Sequence, residues 1–134
     1  MKEVLIAIGS NHLARKHIKQ AKELLLLTFG REIVFSSVIK TKAVDIQSPD
    51  FLNCVAYFHT DDTYEKVRKQ LKQMETVCED TRQKRMRNIV EMDLDILSYD
   101  GLRHHQKDWN RDYIHQLTSE LINTGMLAAS EMTT

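Results

Sequence analysis

The chain contains little cysteine, proline or glycine. Two Cys, one Pro and four Gly occur among 134 residues. This composition excludes a disulfide framework, a collagen-like polymer and a low-complexity linker. Cys54 and Cys78 are too far apart in sequence to form a CxxC metal or redox motif. We therefore expect two core cysteines in a reducing, cytoplasmic compartment.

Neither sign of charge is in excess, and long hydrophobic runs are lacking. The 19 Lys and Arg residues balance 19 Asp and Glu residues. Binding to duplex nucleic acid needs a cationic surplus, so no nucleic-acid partner is predicted. The apolar run at residues 4–8 is too short for a signal peptide or a membrane span. The length fits one domain with an ordinary core, which we place at residues 1–122, followed by a frayed tail at 123–134.

The hydrophobic pattern predicts the element order β-α-β-β-α-β with a further terminal helix. Strands are predicted at 4–8, 32–41, 51–60 and 92–99, helices at 13–29, 62–78 and 110–122, and loops at 42–50 and 80–90. Gly30 is expected to end the first helix, and Asp62 to cap the second. Two helices on one face of a four-stranded antiparallel sheet, the ferredoxin-like α+β arrangement, accommodate this order.

Asp93-Leu94-Asp95 is the sharpest chemical feature of the sequence. Side chains alternate along a strand, so both carboxylates point the same way, with Cα atoms roughly 6.5–7 Å apart. Such a pair is repulsive unless a cation lies between its members, and Mg²⁺ is commonly held by one or two carboxylates together with substrate phosphates. The alternative is an acidic face that is solvated or paired with Lys and Arg.

A basic segment, residues 82–87, precedes this pair. Guanidinium groups match phosphate oxygens, although a run of charge is also typical of a solvated loop. Acidic residues, a metal, phosphates and basic residues together form the charge sequence of a nucleoside triphosphate site. Aromatic residues suited to stacking on a flat ligand, or to a core position, are Phe51, Tyr57, Trp109 and Tyr113.

Three segments in order resemble the signatures of one family. They are Ile6-Ala7-Ile8-Gly9-Ser10-Asn11, Asp50-Phe51-Leu52-Asn53 and Asp93-Leu94-Asp95-Ile96-Leu97. Together they resemble the 6-hydroxymethyl-7,8-dihydropterin pyrophosphokinases, and the similarity extends over roughly residues 4–122. That family transfers the pyrophosphoryl group of ATP to a pterin alcohol in folate biosynthesis and releases AMP. The resemblance implies the same ferredoxin-like fold.

The resemblance also implies roles for individual residues. Asp93 and Asp95 are expected to hold two Mg²⁺ ions. Asn53 is expected to hydrogen-bond the pterin edge, with the ring between Phe51 and Tyr113. The residues expected to bind ATP are Glu75, Arg82, His105 and Arg111, of which Arg82, His105 and Arg111 are also expected to be catalytic.

The chain departs from the family pattern before the paired aspartates. The family has Pro-Arg-Thr there, whereas this chain has Val90-Glu91-Met92. Loss of an arginine near the metals weakens stabilisation of transition-state charge. Two alternatives to the enzyme therefore stay open: a relative that binds pterin or nucleotide without catalysis, and a ferredoxin-like interaction module.

Overall fold

A central antiparallel sheet organises the fold. A computed structural model describes residues 1–43 and 46–125. Its strands are β1 (Lys2–Ser10), β2 (Val34–Phe35), β3 (Ile39–Thr41), β4 (Phe51–Thr60), β5 (Asp93–Tyr99) and β6 (Leu102–Arg103). The order across the sheet is β2-β4-β1-β5-β6, and β3 pairs with β4 beside β2. The first apolar run thus forms a central strand, as its two-sided burial predicts.

Helices cover both faces of this sheet. The described residues form α1 (Ala14–Phe29), α2 (Tyr64–Val77), α3 (Arg82–Met86) and α4 (Asp112–Asn123). Helices α1 and α2 pack on one face, and α4 packs on the other. The predicted α+β arrangement with a terminal helix is confirmed. None of the helices in the described part of the chain is long and apolar enough to span a membrane.

Strand β4 contributes to the core on both of its faces. The face predicted to be apolar carries Cys54, Ala56 and Phe58, which are buried beneath α1 and α2. The ring of Phe58 stacks on Phe29 of α1, with centroids 4.2 Å apart. Val55, on the other face, is buried beneath α4. The terminal helix therefore completes a second apolar layer.

The prediction of one continuous strand at 32–41 is wrong. It is divided into β2 and β3, both paired with β4. Ser36 lies between them, donating its backbone N–H to the Val55 carbonyl at 2.9 Å and accepting the Val55 N–H on its hydroxyl at 2.9 Å. Ser37 bonds the Glu120 carboxylate of α4. These hydrogen bonds to side chains replace the regular backbone hydrogen bonds between strands at residues 36–37. The β-branched composition of the segment does not reveal this interruption.

Three local predictions concern the ends of helices and the loop after α2, and the structure confirms the first of them. Gly30 ends α1 at a φ of 96°, as predicted. Thr63, rather than Asp62, caps α2: its hydroxyl accepts from the Lys66 N–H at 3.2 Å, while Asp62 pairs with the Lys66 ammonium. The predicted loop at 80–90 contains α3, none of whose five residues is buried. A helix without a buried face leaves no apolar period in the sequence.

The C-terminal boundaries differ slightly from prediction. Helix α4 begins at Asp112 rather than at residue 110, because a 3₁₀ turn at Asp108–Asn110 precedes it. Asn123 still belongs to α4, and residues 124–125 form a turn. The rest of the predicted frayed tail, residues 126–134, lies outside the described residues.

Candidate active site

Six of the predicted site residues line one cavity of about 200 Å³. The cavity lies on the α4 side of the sheet, at the end where β1, β4 and β5 carry polar or small residues. Gly9 of β1 is paired with Asn53 of β4 on one side and with Asp93 of β5 on the other. The six residues are Phe51, Asn53, Asp93, Asp95, Arg111 and Tyr113.

The Asn53 amide is held in a fixed orientation on the cavity wall. Its Nδ2 donates to the Thr41 hydroxyl at 2.6 Å, and the side chain is buried. A Cβ atom added to Gly9 would lie 2.8 Å from Asn53 Oδ1. The amide therefore depends on a glycine in the neighbouring strand, a requirement that only the strand register makes visible.

The two aspartates lie close together, and Asp95 is the more buried of the two. Burial, followed by the charge of Asp93 and a hydrogen bond with that residue, raises the pKa of Asp95 to about 8. The Asp95 side chain is 17% exposed and that of Asp93 is 36% exposed. The structure thus brings together the carboxylates that strand periodicity predicts on one face, and it presents them to the cavity.

Two basic residues that the sequence did not single out individually contact these aspartates. Arg85 Nη2 lies 3.4 Å from Asp93 Oδ1, and Arg85 Nε lies 2.6 Å from Asp80 Oδ2. Lys72 Nζ lies 3.6 Å from Asp95 Oδ1. The basic character of segment 82–87 pointed to Arg85, but nothing in the sequence pattern separates Lys72 from the other lysines of α2.

Glu75 lies at the open edge of β5. Its Oε2 accepts the Leu94 N–H at 2.8 Å and the Lys72 ammonium at 3.1 Å. Burial raises the pKa of Glu75, although the Leu94 N–H and Lys72 act in the opposite direction. Glu75 and Lys72 thus cover backbone groups that a neighbouring strand would otherwise bond.

His105 and Arg111 approach the aspartates from the segment after β6. His105 Nε2 lies 3.7 Å from Asp95 Oδ1, and its Nδ1 lies 3.9 Å from Asp108 Oδ2. Arg111 Nε lies 3.3 Å from Asp108 Oδ1. Asp108, which the sequence analysis missed, links the two predicted residues, and its single acidic side chain in a polar loop gave no periodic signal.

Arg82 is, with Glu75 and His105, one of three predicted residues that do not line the cavity. It is the first residue of α3 and is exposed, outside the lining of the cavity. The basic side chain of α3 that contacts the aspartate pair is Arg85. Residues 82 and 85 are one helical turn apart, so both belong to the segment that the sequence indicates.

The buried carboxylate of Glu91 forms an ion pair with Lys84 of α3. Glu91 is 3% exposed, and its Oε2 lies 2.9 Å from Lys84 Nζ. Its Oε1 contacts the imidazole of His12. Burial alone would raise the pKa of Glu91, yet the hydrogen bonds from Lys84 and His12 lower it. Lys84 is therefore engaged away from the cavity.

The donor set at the aspartate pair fits Mg²⁺. Hard divalent cations prefer carboxylate oxygens and are commonly bound by one or two carboxylates. Asp93 and Asp95 offer such oxygens beside a cavity, and burial, followed by the charge of Asp93, raises the pKa of Asp95. A divalent cation bound to the two carboxylates would favour the charged form of Asp95.

Comparison with known proteins points in the same direction as the geometry. The family model described as 7,8-dihydro-6-hydroxymethylpterin-pyrophosphokinase matches residues 5–123. The match begins within β1 and extends to the last residue of α4. A search of curated proteins gave no match.

Proposed function

Because the chain belongs to the 7,8-dihydro-6-hydroxymethylpterin-pyrophosphokinase family, we propose that it transfers the pyrophosphoryl group of ATP to the hydroxyl of 6-hydroxymethyl-7,8-dihydropterin and releases AMP. Family membership supports a pyrophosphokinase of folate biosynthesis that uses ATP and Mg²⁺. The observation that carries the proposal for this chain is the convergence of six predicted residues, from three separate segments, on one cavity.

The cavity is proposed as the pterin site. Its volume of about 200 Å³ is below the ~300–1,000 Å³ of drug-sized pockets, so it suits one flat ring system better than a whole nucleotide. Phe51 and Tyr113 supply aromatic surface on its walls. The Asn53 amide uses Nδ2 on Thr41, which leaves Oδ1 to accept a ring N–H.

The aspartate pair is proposed to hold Mg²⁺, with two ions expected when ATP is bound. When bound, Mg²⁺ neutralises charge on the phosphates and orients them for displacement. Asp93 and Asp95 would ligate it through their cavity-facing oxygens. Arg85 and Lys72 already contact these carboxyl groups, at 3.4 Å and 3.6 Å respectively.

ATP is proposed to lie between the aspartate pair and the basic segment. His105 and Arg111 are proposed to contact phosphate oxygens, and their position within 4 Å of carboxylates at the aspartate side of the cavity supports this role. Arg82 would reach the phosphates from the exposed start of α3, and Glu75 would contact the nucleotide near the edge of β5.

Both cysteines are free and buried, which agrees with the expected cytoplasmic compartment.

The chemical step proposed is an in-line displacement at the β-phosphorus. The hydroxymethyl oxygen forms a bond to the β-phosphorus, and the bond from that phosphorus to the oxygen bridging the α-phosphate breaks. AMP leaves with that oxygen, and the hydroxyl proton passes to solvent. Positioning and charge neutralisation supply most of the barrier reduction in such transfers, so no covalent enzyme intermediate is needed.

The test is AMP formation from ATP and 6-hydroxymethyl-7,8-dihydropterin in the presence of Mg²⁺. The proposal expects AMP and the pterin diphosphate in equal amounts, with production dependent on both substrates. A folded sample that forms no AMP above the rate without enzyme would refute the transfer reaction.

One observation favours a second candidate, a relative that binds the substrates without catalysis. Lys84 of the basic segment is engaged with the buried Glu91, and Glu91 belongs to the segment that differs from the family pattern. Calorimetry that detects pterin and nucleotide binding without AMP formation would support this candidate. Turnover would exclude it.

A further inference from the structure

We infer that Lys72 is an internal cation that competes with divalent metal for Asp95 and makes metal uptake depend on nucleotide. The inference rests on the proposed function and deepens it, because it names a residue that controls how the metal site is filled. The resemblance to the family assigned no role to this lysine.

The geometry of Lys72 is that of a resident counter-cation. Its ammonium lies 3.1 Å from Glu75 Oε2, 3.3 Å from the Leu94 carbonyl oxygen and 3.6 Å from Asp95 Oδ1. Lys72 and Glu75 lie on α2, which packs against β5. The lysine reaches around the open edge of β5 to an aspartate whose side chain faces the cavity. One ammonium therefore contacts the carboxyl groups of both Glu75 and Asp95.

This arrangement places a positive charge where a metal ligand is needed. Asp95 Oδ1 contacts Lys72, so a cation bound to the same carboxylate would lie within a few ångströms of the ammonium. Two positive charges at that separation repel strongly in a poorly solvated site. Lys72 has Glu75 and the Leu94 carbonyl as its nearer partners, so it stays at the edge when Asp95 turns to the metal.

Nucleotide phosphates change this balance. They bring several negative charges to the aspartate pair, and these charges attract both the metal and the ammonium. The repulsion that opposes metal alone is then offset, so metal and nucleotide each increase the affinity for the other. Lys72 thus favours loading of metal together with nucleotide over loading of metal alone.

The contact of Arg85 with Asp93 differs in kind. Arg85 Nε lies 2.6 Å from Asp80 Oδ2, and its Nη2 donates to the Met92 carbonyl at 3.0 Å. Asp80 also accepts the Glu91 N–H at 2.9 Å. Arg85 is therefore part of a network that holds α3 to the start of β5, and its substitution would disturb that connection. Lys72, which is half-buried, is the cleaner site to test.

The experiment measures binding of Mn²⁺, as a probe for Mg²⁺, by the loss of the free Mn²⁺ signal in electron paramagnetic resonance. Lys72→Met is expected to bind Mn²⁺ alone at least about tenfold more tightly than the unmodified chain, because removal of one nearby positive charge favours a divalent cation. Lys72→Gln, which keeps a donor for the Leu94 carbonyl, is expected to behave in the same way. Lys72→Arg, which keeps the charge, is expected to change the affinity little.

Lys66→Met is the matched control, because Lys66 lies on the same helix and pairs with Asp62 at 3.2 Å. Its Mn²⁺ affinity is expected to equal that of the unmodified chain. With a non-hydrolysable ATP analogue present, the difference between Lys72→Met and the unmodified chain is expected to shrink. Circular dichroism establishes that each variant is folded.

The inference is overturned if Lys72→Met and Lys72→Gln bind Mn²⁺ no more tightly than the unmodified chain, or if Lys72→Arg tightens binding equally. An Asp95→Asn variant separates this failure from failure of the proposed metal site. If Asp95→Asn loses Mn²⁺ while the Lys72 variants change nothing, only the inference about Lys72 fails. If Asp95→Asn and the Lys72 variants all bind Mn²⁺ as the unmodified chain does, the proposed metal ligand fails with it.

Discussion

The two faces of the sheet are built from the same three strands but differ at one end. Beneath α1 and α2, the apolar layer includes Ile8, Cys54 and Leu94 at the end of the sheet that carries the cavity on its other face, and all three are buried. Beneath α4, the apolar layer includes Leu5 and Val55 and then gives way to a cavity. At this end of the sheet, the face under α1 and α2 therefore belongs to the core, whereas the face under α4 lines the cavity.

The difference follows from the side chains that strand periodicity sends to each face. Gly9 and Asn53 lie on the same side as Leu5 and Val55, because residues two apart along a strand share a face. A glycine and polar side chains cannot form an apolar layer beneath α4. A single sheet therefore provides both a rigid support and a polar cavity, without a separate binding domain.

The largest expected effect is loss of activity when the cavity end of the α4 face, here called the polar end (Gly9, Asn53, Asp93 and Asp95), is altered. Asp95→Asn is expected to lower the rate of AMP formation about a thousandfold or more, since metal stabilisation of transition-state charge is worth several kcal/mol. The measurement is single-turnover AMP formation at saturating Mg²⁺. The variant is expected to keep its circular dichroism spectrum, and unfolding of the variant would show that Asp95 is structural instead.

Matched substitutions on the two faces of β4 give the next largest effect. Phe58→Ala, on the α1/α2 face, is expected to lower the free energy of unfolding by about 3–5 kcal/mol, because Phe58 is 2% exposed. Phe51→Ala, on the cavity face, is expected to cost much less stability and to weaken pterin binding. Urea unfolding and pterin titration of both variants test the contrast, which equal losses of stability would abolish.

A methyl group on Gly9 is expected to damage the cavity more mildly. The added Cβ would lie 2.8 Å from Asn53 Oδ1, so the amide must leave its position against Thr41. Gly9→Ala is therefore expected to weaken pterin binding about 5- to 30-fold, which corresponds to a cost of about 1 to 2 kcal/mol from a displaced hydrogen-bonding group. Isothermal calorimetry measures the effect, and an unchanged pterin affinity would show that Asn53 does not need this orientation.

The smallest effect, taken per pH unit, is a pH dependence of Mg²⁺ binding at the site. Burial and the charge of Asp93 raise the pKa of Asp95 from 3.8 to about 8, so the folded chain holds a proton that the unfolded chain lacks between these values. The contribution of this group to stability therefore falls as pH rises through that window. Below pH 8, Mg²⁺ must displace the proton, so its affinity is expected to rise up to about tenfold per pH unit and then level off.

Calorimetry in two buffers of different ionisation enthalpy tests this pH dependence. Mg²⁺ binding at pH 7 is expected to release close to one proton, and Asp95→Asn is expected to remove that release. Mg²⁺ affinity that is constant from pH 6 to pH 8 would contradict the account of Asp95.

The sequence predicts the structure of the face under α1 and α2 better than it predicts the cavity under α4. The bounds of β4 and the burial of Phe58 follow from strand periodicity, which reports burial directly. The paired direction of Asp93 and Asp95 follows from the same period. Their meeting with Phe51 and Tyr113 was expected only from resemblance to the family, because the meeting depends on the order of strands across the sheet.

The features that sequence missed depend on contacts between distant segments. Lys72 and Arg85 resemble other basic residues of exposed helix faces until α2 and α3 are packed against β5. Asp108 becomes notable only beside His105 and Arg111. The break between β2 and β3 depends on Ser36 and on Glu120, which is far along the chain. No local pattern carries such information.

The most direct test of the polar end is a Mn²⁺ titration followed by nuclear magnetic resonance of the ¹⁵N-labelled chain, with a non-hydrolysable ATP analogue and the pterin alcohol present. The account predicts that the amide signals of Gly9, Asp93 and Asp95 broaden first, together with those of the bound pterin, and before the signals of α1. Broadening that begins elsewhere in the chain, with these three amides unaffected, would contradict it.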